Sequence, residues 1–246
     1  MFNWYWILPV GVAILFVQNI VNSIFLHRIV CHRSAEFTSP ALFNFCRLWL
    51  WVFGFSEPNL IKWWVAVHRK HHEMSDSTED PHSPYFFNFR EITFGTGRTV
   101  GSVYHMPWTE VEQYSKDIPY FTDWIELNVY QKFRYPFIIL IFLFFILFGV
   151  WGMLVSIPIL LYSKYVFLVL GGLTHTRGYR NRPAAGTDRS VNLCPVGILF
   201  VGEELAANHH DNQASPKFSE KWWEFDLGWG VMLVLQFFGL IKIRYK

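Results

Sequence analysis

Ten histidines occur in this chain of 246 residues, and most of them are clustered. Imidazole is a ligand for zinc, copper, iron and nickel, so clustered histidines indicate a metal site without identifying the metal. A structural zinc ion takes four protein ligands, so a set of eight histidines indicates two metal ions. The eight candidate ligands lie in four stretches of the chain: His27 and His32; His68, His71 and His72; His175; His209 and His210.

The spacing of the second cluster is that of one helix face. His68, His71 and His72 stand at positions i, i+3 and i+4, which are neighbours on a helix surface. This pattern predicts that the three imidazoles face one small volume. The sequence has no activated nucleophile or Ser-His-Asp arrangement, which argues against hydrolysis.

Composition places these histidines in a membrane protein. The chain is 52% hydrophobic and only 16% charged, whereas soluble domains are roughly 25% charged. A net charge of +2, with no basic run between aromatic residues, argues against nucleic-acid binding. The three cysteines are widely spaced and form no CxxC pair, so neither a disulfide framework nor a zinc knuckle is indicated. Two redox metals beside an apolar compartment favour oxygen chemistry on a lipid chain.

Two long apolar blocks predict the membrane helices. Residues 4–26 carry no acidic or basic side chain and exceed the ~20 residues that a transmembrane helix needs. A cleaved signal peptide is the alternative, but its removal would discard His27 and His32. The second block, Tyr135 to Leu173, contains Lys164 as its one charged residue. It predicts a hairpin of two spans, 135–152 and 155–173, that turns between Gly149 and Ser156.

The remaining segments are predicted to lie on one side of the bilayer. Residues 41–60 include Arg47 and Glu57, so we expect an interfacial helix there rather than a crossing. A crossing would place His27 and His68 on opposite faces. We therefore expect one domain over 1–246, with a histidine-bearing cap formed by 61–133 and 174–225 and a membrane-surface or packing helix in 227–243. The fold class is an all-α integral membrane protein with about three transmembrane helices. The basic residues that mark the cap side as cytoplasmic are Arg28, Arg33, Arg69, Lys70, Arg134, Arg177, Arg180 and Arg182.

The histidine clusters also match the motifs of a known family. The runs from His27 to His32 and from His68 to His72 read HxxxxH and HxxHH. Further markers are the segments 78–84, 175–181 and 202–210. Together they resemble the membrane-bound fatty acid desaturases, particularly the short bacterial proteins similar to acyl-CoA delta-9 desaturases, over nearly the whole chain.

The resemblance implies a reaction and its partners. It implies two iron ions held by the eight histidines, molecular oxygen as co-substrate, and an acyl chain held in a tunnel between the membrane helices. The acyl group would arrive as a coenzyme A thioester, a carrier-protein thioester or a phospholipid. Electrons would come from a separate ferredoxin, rubredoxin or b-type cytochrome. The expected location is the bacterial inner membrane, with the metal site on the cytoplasmic side.

Two positions depart from the family motifs. The third box, HNxHH in the family, has Ala206 in place of its first histidine, and Gly171 replaces an asparagine that lies four residues before His175. One iron should therefore lack a ligand, which water or Glu203 could supply. The departures leave alternatives open: hydroxylation, terminal desaturation, decarboxylation, or a metal-deficient protein that serves as a non-catalytic membrane partner.

Several other polar residues have two interpretations. We expect His82 to lie outside the ligand set, as a structural residue or one that supports a ligand, and His105 to be a surface histidine. Lys164, deep in the second apolar block, has a function in the membrane, extends its amine towards the far interface, or packs within the hairpin. The basic side chains beside the histidine boxes either bind the anionic head group of the substrate or only set the topology; these are Arg69, Lys70, Arg177 and Arg180.

Overall fold

A computed structural model describes residues 4–53, 60–88, 106–133 and 135–244. His105, Arg134 and the side chain of Lys164 lie outside the described part of the chain, so the expectations for them stay predictions. In the described part, most residues are helical and little sheet is present, which confirms the expected mainly helical fold. The number of membrane spans and the separate cap stay predictions.

The principal helices, numbered in chain order, are α1 (Ile7–Ile20), α2 (Pro40–Val52), α3 (Leu60–Met74), α4 (Trp108–Tyr114), α5 (Phe137–Leu173), α6 (Ala206–Asp211) and α7 (Leu227–Phe237). A π-helical stretch, Val21–Cys31, continues α1, and shorter turns of 3-10 or π-helix lie at Trp4–Trp6, Glu126–Tyr130 and Glu203–Leu205. The strands are β1 (Ala35–Phe37), β2 (Val196–Gly197), β3 (Phe225–Asp226) and β4 (Ile241–Ile243).

Two of the described helices are long and apolar enough to cross a membrane, Ile7–Cys31 and Phe137–Ser163. The first of them runs past the predicted end at residue 26. Its π-helical part therefore carries His27, whereas His32 follows directly after the last helical residue. Because a helix holds its side chains at fixed angles, His27 is placed more rigidly than a loop residue would be.

Helix α5 is broken at Gly149, whose backbone has φ 69° and ψ −154°. Phe144 and Ile159 belong to one buried cluster, although they would be about 22 Å apart along a straight helix. A side chain at Gly152 would clash, since its Cβ would lie 2.2 Å from the carbonyl oxygen of Phe144. The two arms of α5 therefore fold back on each other, and the break falls within the predicted turn.

The predicted interfacial helix 41–60 is shorter in the structure. Helix α2 begins after Ser39, whose side chain accepts a hydrogen bond from the backbone N–H of Leu42, and it ends at Val52. Cys46 and Leu50 pack against the apolar face of the first helix. The boundary is earlier than predicted because hydrophobicity continues beyond the last helical residue and so does not mark the end.

The C-terminal part packs around the first helix. Strand β4 pairs antiparallel with β1, with Glu36 opposite Lys242, and β2 pairs parallel with β3. Met232 of α7 shares a buried cluster with Ile24 and Ile29. These contacts fix the segment around His27 from both sides.

Candidate metal centre

Five histidines, four on three helical elements and one directly after the first of these elements, surround one point, which we call site A. His27 lies on the π-helical stretch, His32 follows that stretch, His68 and His72 lie on α3, and His209 lies on α6. Their candidate ligand atoms all lie within 4.8 Å of one another. The site therefore joins segments that are more than a hundred residues apart in the chain.

The nitrogen atoms of site A have the separations of metal ligands. The Nε2 atom of His68 lies 2.9 Å from that of His27, 3.1 Å from that of His32 and 2.9 Å from that of His72. The Nε2 atom of His209 lies 2.9 Å from that of His27 and 3.1 Å from that of His72. Two nitrogens bound at right angles to a first-row divalent metal, about 2.1 Å from it, would be about 3.0 Å apart. The donor set therefore fits a single metal ion.

Three further histidines, His71, His175 and His210, form a second group, site B. Their ring centroids make a nearly equilateral triangle with sides of 4.9, 5.0 and 5.1 Å. A carboxylate holds the Nδ1 atom of each ring, so Nε2 is the nitrogen left for a metal. Three neutral imidazoles suit iron as well as other first-row metals.

The two sites are adjacent because consecutive residues serve different sites. His72 belongs to site A and His71 to site B; in the same way His209 belongs to site A and His210 to site B. The HxxHH motif was predicted to present its imidazoles to one small volume, and this is wrong in detail. Around the helix axis, residue i+4 lies about 40° to one side of residue i, and residue i+3 lies about 60° to the other side. His68 and His72 therefore face one site, and His71 faces the other.

Aspartates hold all three rings of site B. Nδ1 of His175 lies 2.7 Å from Oδ2 of Asp76, and Nδ1 of His71 lies 2.9 Å from Oδ2 of Asp80. Nδ1 of His210 lies 3.2 Å from Oδ1 of Asp188. Such a carboxylate fixes the tautomer and the orientation of a ligating ring.

These aspartates stay ionised in the folded protein. Burial alone would raise the pKa of Asp80, but the hydrogen bond and the charge interaction with His71 lower it below the ordinary value of 3.8. The pKa of Asp188 is lowered in the same way, because the hydrogen bond with His210 outweighs burial. Arg180 holds Asp188 from the other side, with Nη1 3.0 Å from its Oδ2.

In the part of the chain that the structure describes, site A has one such carboxylate, that of Glu203. Its Oε2 lies 2.7 Å from Nδ1 of His27, and its Oε1 accepts a hydrogen bond from Ser23. Among the described residues, Nδ1 of His72 and Nδ1 of His209 are buried without a hydrogen-bond partner. Packing alone therefore orients these two rings.

Behind Glu203 lies a fully buried arginine, Arg28. Its Nη2 donates to both carboxylate oxygens of Asp226, at 3.1 and 3.3 Å, and its guanidinium lies 3.7 Å from the ring centroid of Phe218. Gly202 lies against this pair with φ 94°, and a Cβ there would be 2.2 Å from Oδ1 of Asp226. Only glycine fits that position without a shift of the ion pair.

The structure also resolves several residues that sequence reasoning left open. Glu203 does not reach the position left by Ala206, because its Oε2 lies at Nδ1 of His27 and its Oε1 accepts from Ser23. The ring of His82 stacks on that of His71 with centroids 4.0 Å apart, and its backbone N–H donates to Asp80. Three of the basic residues near the boxes are held in ion pairs: Arg69 with Asp117, Lys70 with Glu110, and Arg180 with Asp188 and Asp211.

Sequence comparison decides the family. The family model described as "Fatty acid desaturase" matches residues 3–219. The chain belongs to the fatty acid desaturase family. It is thus a membrane-bound oxidoreductase that acts on fatty-acyl chains.

Three relatives of the desaturase show the range of its family. The sn-1 stearoyl-lipid 9-desaturase of Anabaena variabilis is 31% identical, over 97% of this chain and 84% of the relative. The hex-5-enoyl-[acyl-carrier protein] acetylenase of Moorena producens (strain JHB) is 28% identical over 97% of this chain and 78% of its own length. The delta-9 acyl-lipid desaturase 1 of Arabidopsis thaliana is 26% identical over 97% and 75%.

Replacing Glu203 with glutamine should weaken site A. The change removes the charge that supports His27, and loss of such an outer partner typically lowers metal affinity or activity about 10- to 100-fold. Glu204→Gln is the matched control, because Glu204 is also buried but accepts from the backbone N–H groups of Phe200 and Gly202. Metal content and desaturation rate measured together test this; equal losses in both variants would contradict it.

Acid should destabilise the metal-free desaturase. Burial, with a further contribution from neighbouring rings, lowers the pKa of His68, His72 and His209 well below 6.5. Below pH 6.5 these histidines bind more protons in the unfolded chain than in the folded one. The free energy of unfolding therefore falls as the pH falls below 6.5. The slope should be about 1.4 kcal/mol per pH unit for each such histidine.

Thermal unfolding in detergent, with and without metal, measures this effect. Bound metal also keeps the imidazoles deprotonated in the folded state, so the loaded protein should unfold at a higher temperature but should lose stability below pH 6.5 at least as steeply as the metal-free protein. An unfolding temperature of the metal-free protein that does not fall as the pH is lowered from 6.5 would contradict the prediction.

Proposed function

We propose that the eight histidines hold two iron ions and that the protein uses molecular oxygen to introduce a double bond into a fatty-acyl chain. The observation that carries this proposal is the division of the ligands into two adjacent groups, each with inward-facing nitrogens. The site A separations of 2.9 to 3.1 Å match right-angle ligation of one metal. In this reading each histidine of the predicted set has a place in one of the groups.

Bound iron would supply the oxygen activation and the oxidation of C–H bonds that desaturation requires. The residues of this chain position it: Asp76, Asp80 and Asp188 fix the rings of site B, and Glu203 fixes His27. In the overall reaction two hydrogens leave adjacent carbons. With O2, two electrons and two protons they give the double bond and two water molecules.

We infer that the fold spans the membrane three times, with helices near 4–26, 135–152 and 155–173. The single domain would place 61–133 and 174–225 as a cytoplasmic cap, with the metal sites at the inner face of a bacterial membrane. The contacts of Asn19 support a common core, because its Nδ2 donates to Tyr162 of α5 and to the carbonyl oxygen of Leu199, both at 2.8 Å. Basic residues on the cap side agree with this orientation.

The substrate and the electron donor follow from the family. Relatives are described as acting on acyl lipids and on acyl-carrier protein, so we propose an acyl chain carried by coenzyme A, by carrier protein or in a phospholipid. A separate ferredoxin, rubredoxin or b-type cytochrome would supply the electrons. Two nearby outcomes, hydroxylation and decarboxylation, share the initial removal of hydrogen.

Expression in a desaturase-deficient host tests the proposal. Mass spectrometry that locates double bonds should reveal a new unsaturated acyl chain, and purified protein should contain two iron ions. Assays with each acyl carrier and each donor then identify the partners. A hydroxylated or shortened product would assign the neighbouring reaction instead. Two bound irons without any oxidised product, in the presence of a working donor, would overturn the proposed activity.

A further inference from the structure

Sites A and B differ in how many ligands the chain provides. Within the described residues, site A has five imidazoles, whereas site B has three. Iron in proteins commonly takes up to six ligands, and three-ligand faces of such centres leave positions open. On ligand number alone, site B therefore has more room than site A for ligands that are not part of the chain.

Two small residues lie one helical turn from ligands of site B. Ala206 precedes His210 by four residues on α6, so the two lie on the same side of that helix. Gly171 lies near the end of α5, four residues before His175, which follows the helix. Ala206 is partly exposed although Leu205 and Ala207 on either side are buried. A Cβ added at Gly171 would meet no atom within 4 Å. Both positions leave space where a larger side chain would stand.

The negative charge around site B favours a neutral ligand over an anion. Asp76, Asp80 and Asp188 place three negative charges on the outer nitrogens of the three rings. Arg180 offsets one of them, although it also pairs with Asp211. A divalent metal would then carry no excess positive charge to attract an anion, whereas a neutral donor adds no charge. A neutral ligand is favoured on this ground.

We propose that site B has an accessible coordination position beside Ala206 and Gly171 that binds a small neutral nitrogen or oxygen donor in preference to an anion. This inference rests on the proposed function, since it requires both metal sites to be filled. In the cell, water is the simplest ligand of this class. Imidazole is the probe, because it is the side chain that Ala206 lacks.

The test uses full-length protein loaded with Co2+, whose visible absorption reports ligand number and does not depend on turnover. Imidazole should change the spectrum in a saturable way. Azide should require a concentration at least about 10-fold higher for a comparable change. Cobalt content, measured on the same sample, should be two ions per chain.

Three variants assign the response to site B. Ala206→His should show the spectrum of the imidazole-bound protein without any addition, and its response to imidazole should fall at least about 10-fold. Ala206→Leu fills the space without a ligand, so it should lose the response but keep the spectrum of the free protein. Gly171→Ala adds only a methyl group that meets no other atom within 4 Å, so it should lower the response by much less than Ala206→Leu does.

The outcomes separate this inference from the proposed function. Two cobalt ions with no spectral change up to about 100 mM imidazole would overturn the inference alone. An unaltered response in both Ala206→His and Ala206→Leu would place the ligand elsewhere and also overturn it. Azide binding as readily as imidazole would overturn the preference for a neutral donor. Fewer than two cobalt ions would count against the two-metal site itself, and the inference would fall with it.

Discussion

Desaturation should fall by more than about 100-fold when His68 is replaced by alanine, because His68 lies at the centre of site A. Its Nε2 is within 3.1 Å of the Nε2 atoms of His27, His32 and His72. The variant keeps four imidazoles at site A but opens a gap between three of them. We expect bound iron to fall from two ions towards one, with site B retained, as measured by metal analysis and by product formation.

A histidine outside the ligand set provides the control for this loss. His105→Ala removes an imidazole that lies in none of the four clusters of the sequence and should leave iron content and rate unchanged. The protein should also remain folded, which a thermal unfolding curve checks. Full iron content in His68→Ala would contradict the assignment of this residue to site A.

The largest effect on stability should come from Arg28→Met. The substitution leaves the carboxylate of Asp226 buried without its partner and removes a charge next to Glu203, and breaking a buried pair in this way costs about 3–5 kcal/mol. The guanidinium also covers the ring of Phe218. We expect a large fall in unfolding temperature or a failure to accumulate in the membrane.

Arg244→Met is the matched control, since Arg244 also pairs with a carboxylate, that of Glu36, but at the surface. Exposed ion pairs contribute about 0–1 kcal/mol, so this variant should unfold close to the wild type. Thermal unfolding of the two variants in the same detergent makes the comparison. An equal shift in both would show that burial of Arg28 does not matter.

The sequence indicated eight candidate histidines because the spacing within most of the clusters is local, and their role as ligands stays a prediction. The spacing of His68, His71 and His72 is that of one helix face. The lengths of the apolar blocks 4–26 and 135–173 match the number of residues that cross a bilayer. Gly149 was likewise within reach, because a glycine in an otherwise apolar helix marks a break. These features depend on residues that are close in the chain.

The outer carboxylates were beyond the reach of sequence reasoning. Asp76 lies 99 residues from His175, and Asp188 is one acidic residue among nineteen. No periodic pattern connects such pairs; only the packing of α3 against the segment after α5 brings them together. Asp80 lies in a recognised motif, but its role became evident from its contact with His71. The end of α2 was also missed, because apolar character continues past Val52.

Neighbouring residues that serve different sites couple the geometry of site A to that of site B. His71 and His72 share one peptide bond, as do His209 and His210, so a rotation of either helix about its axis moves ligands of both metals at once. Loss of one ion should therefore displace ligands of the other without emptying its site. The two sites should consequently be mechanically coupled, so that a distortion at either one reaches its neighbour.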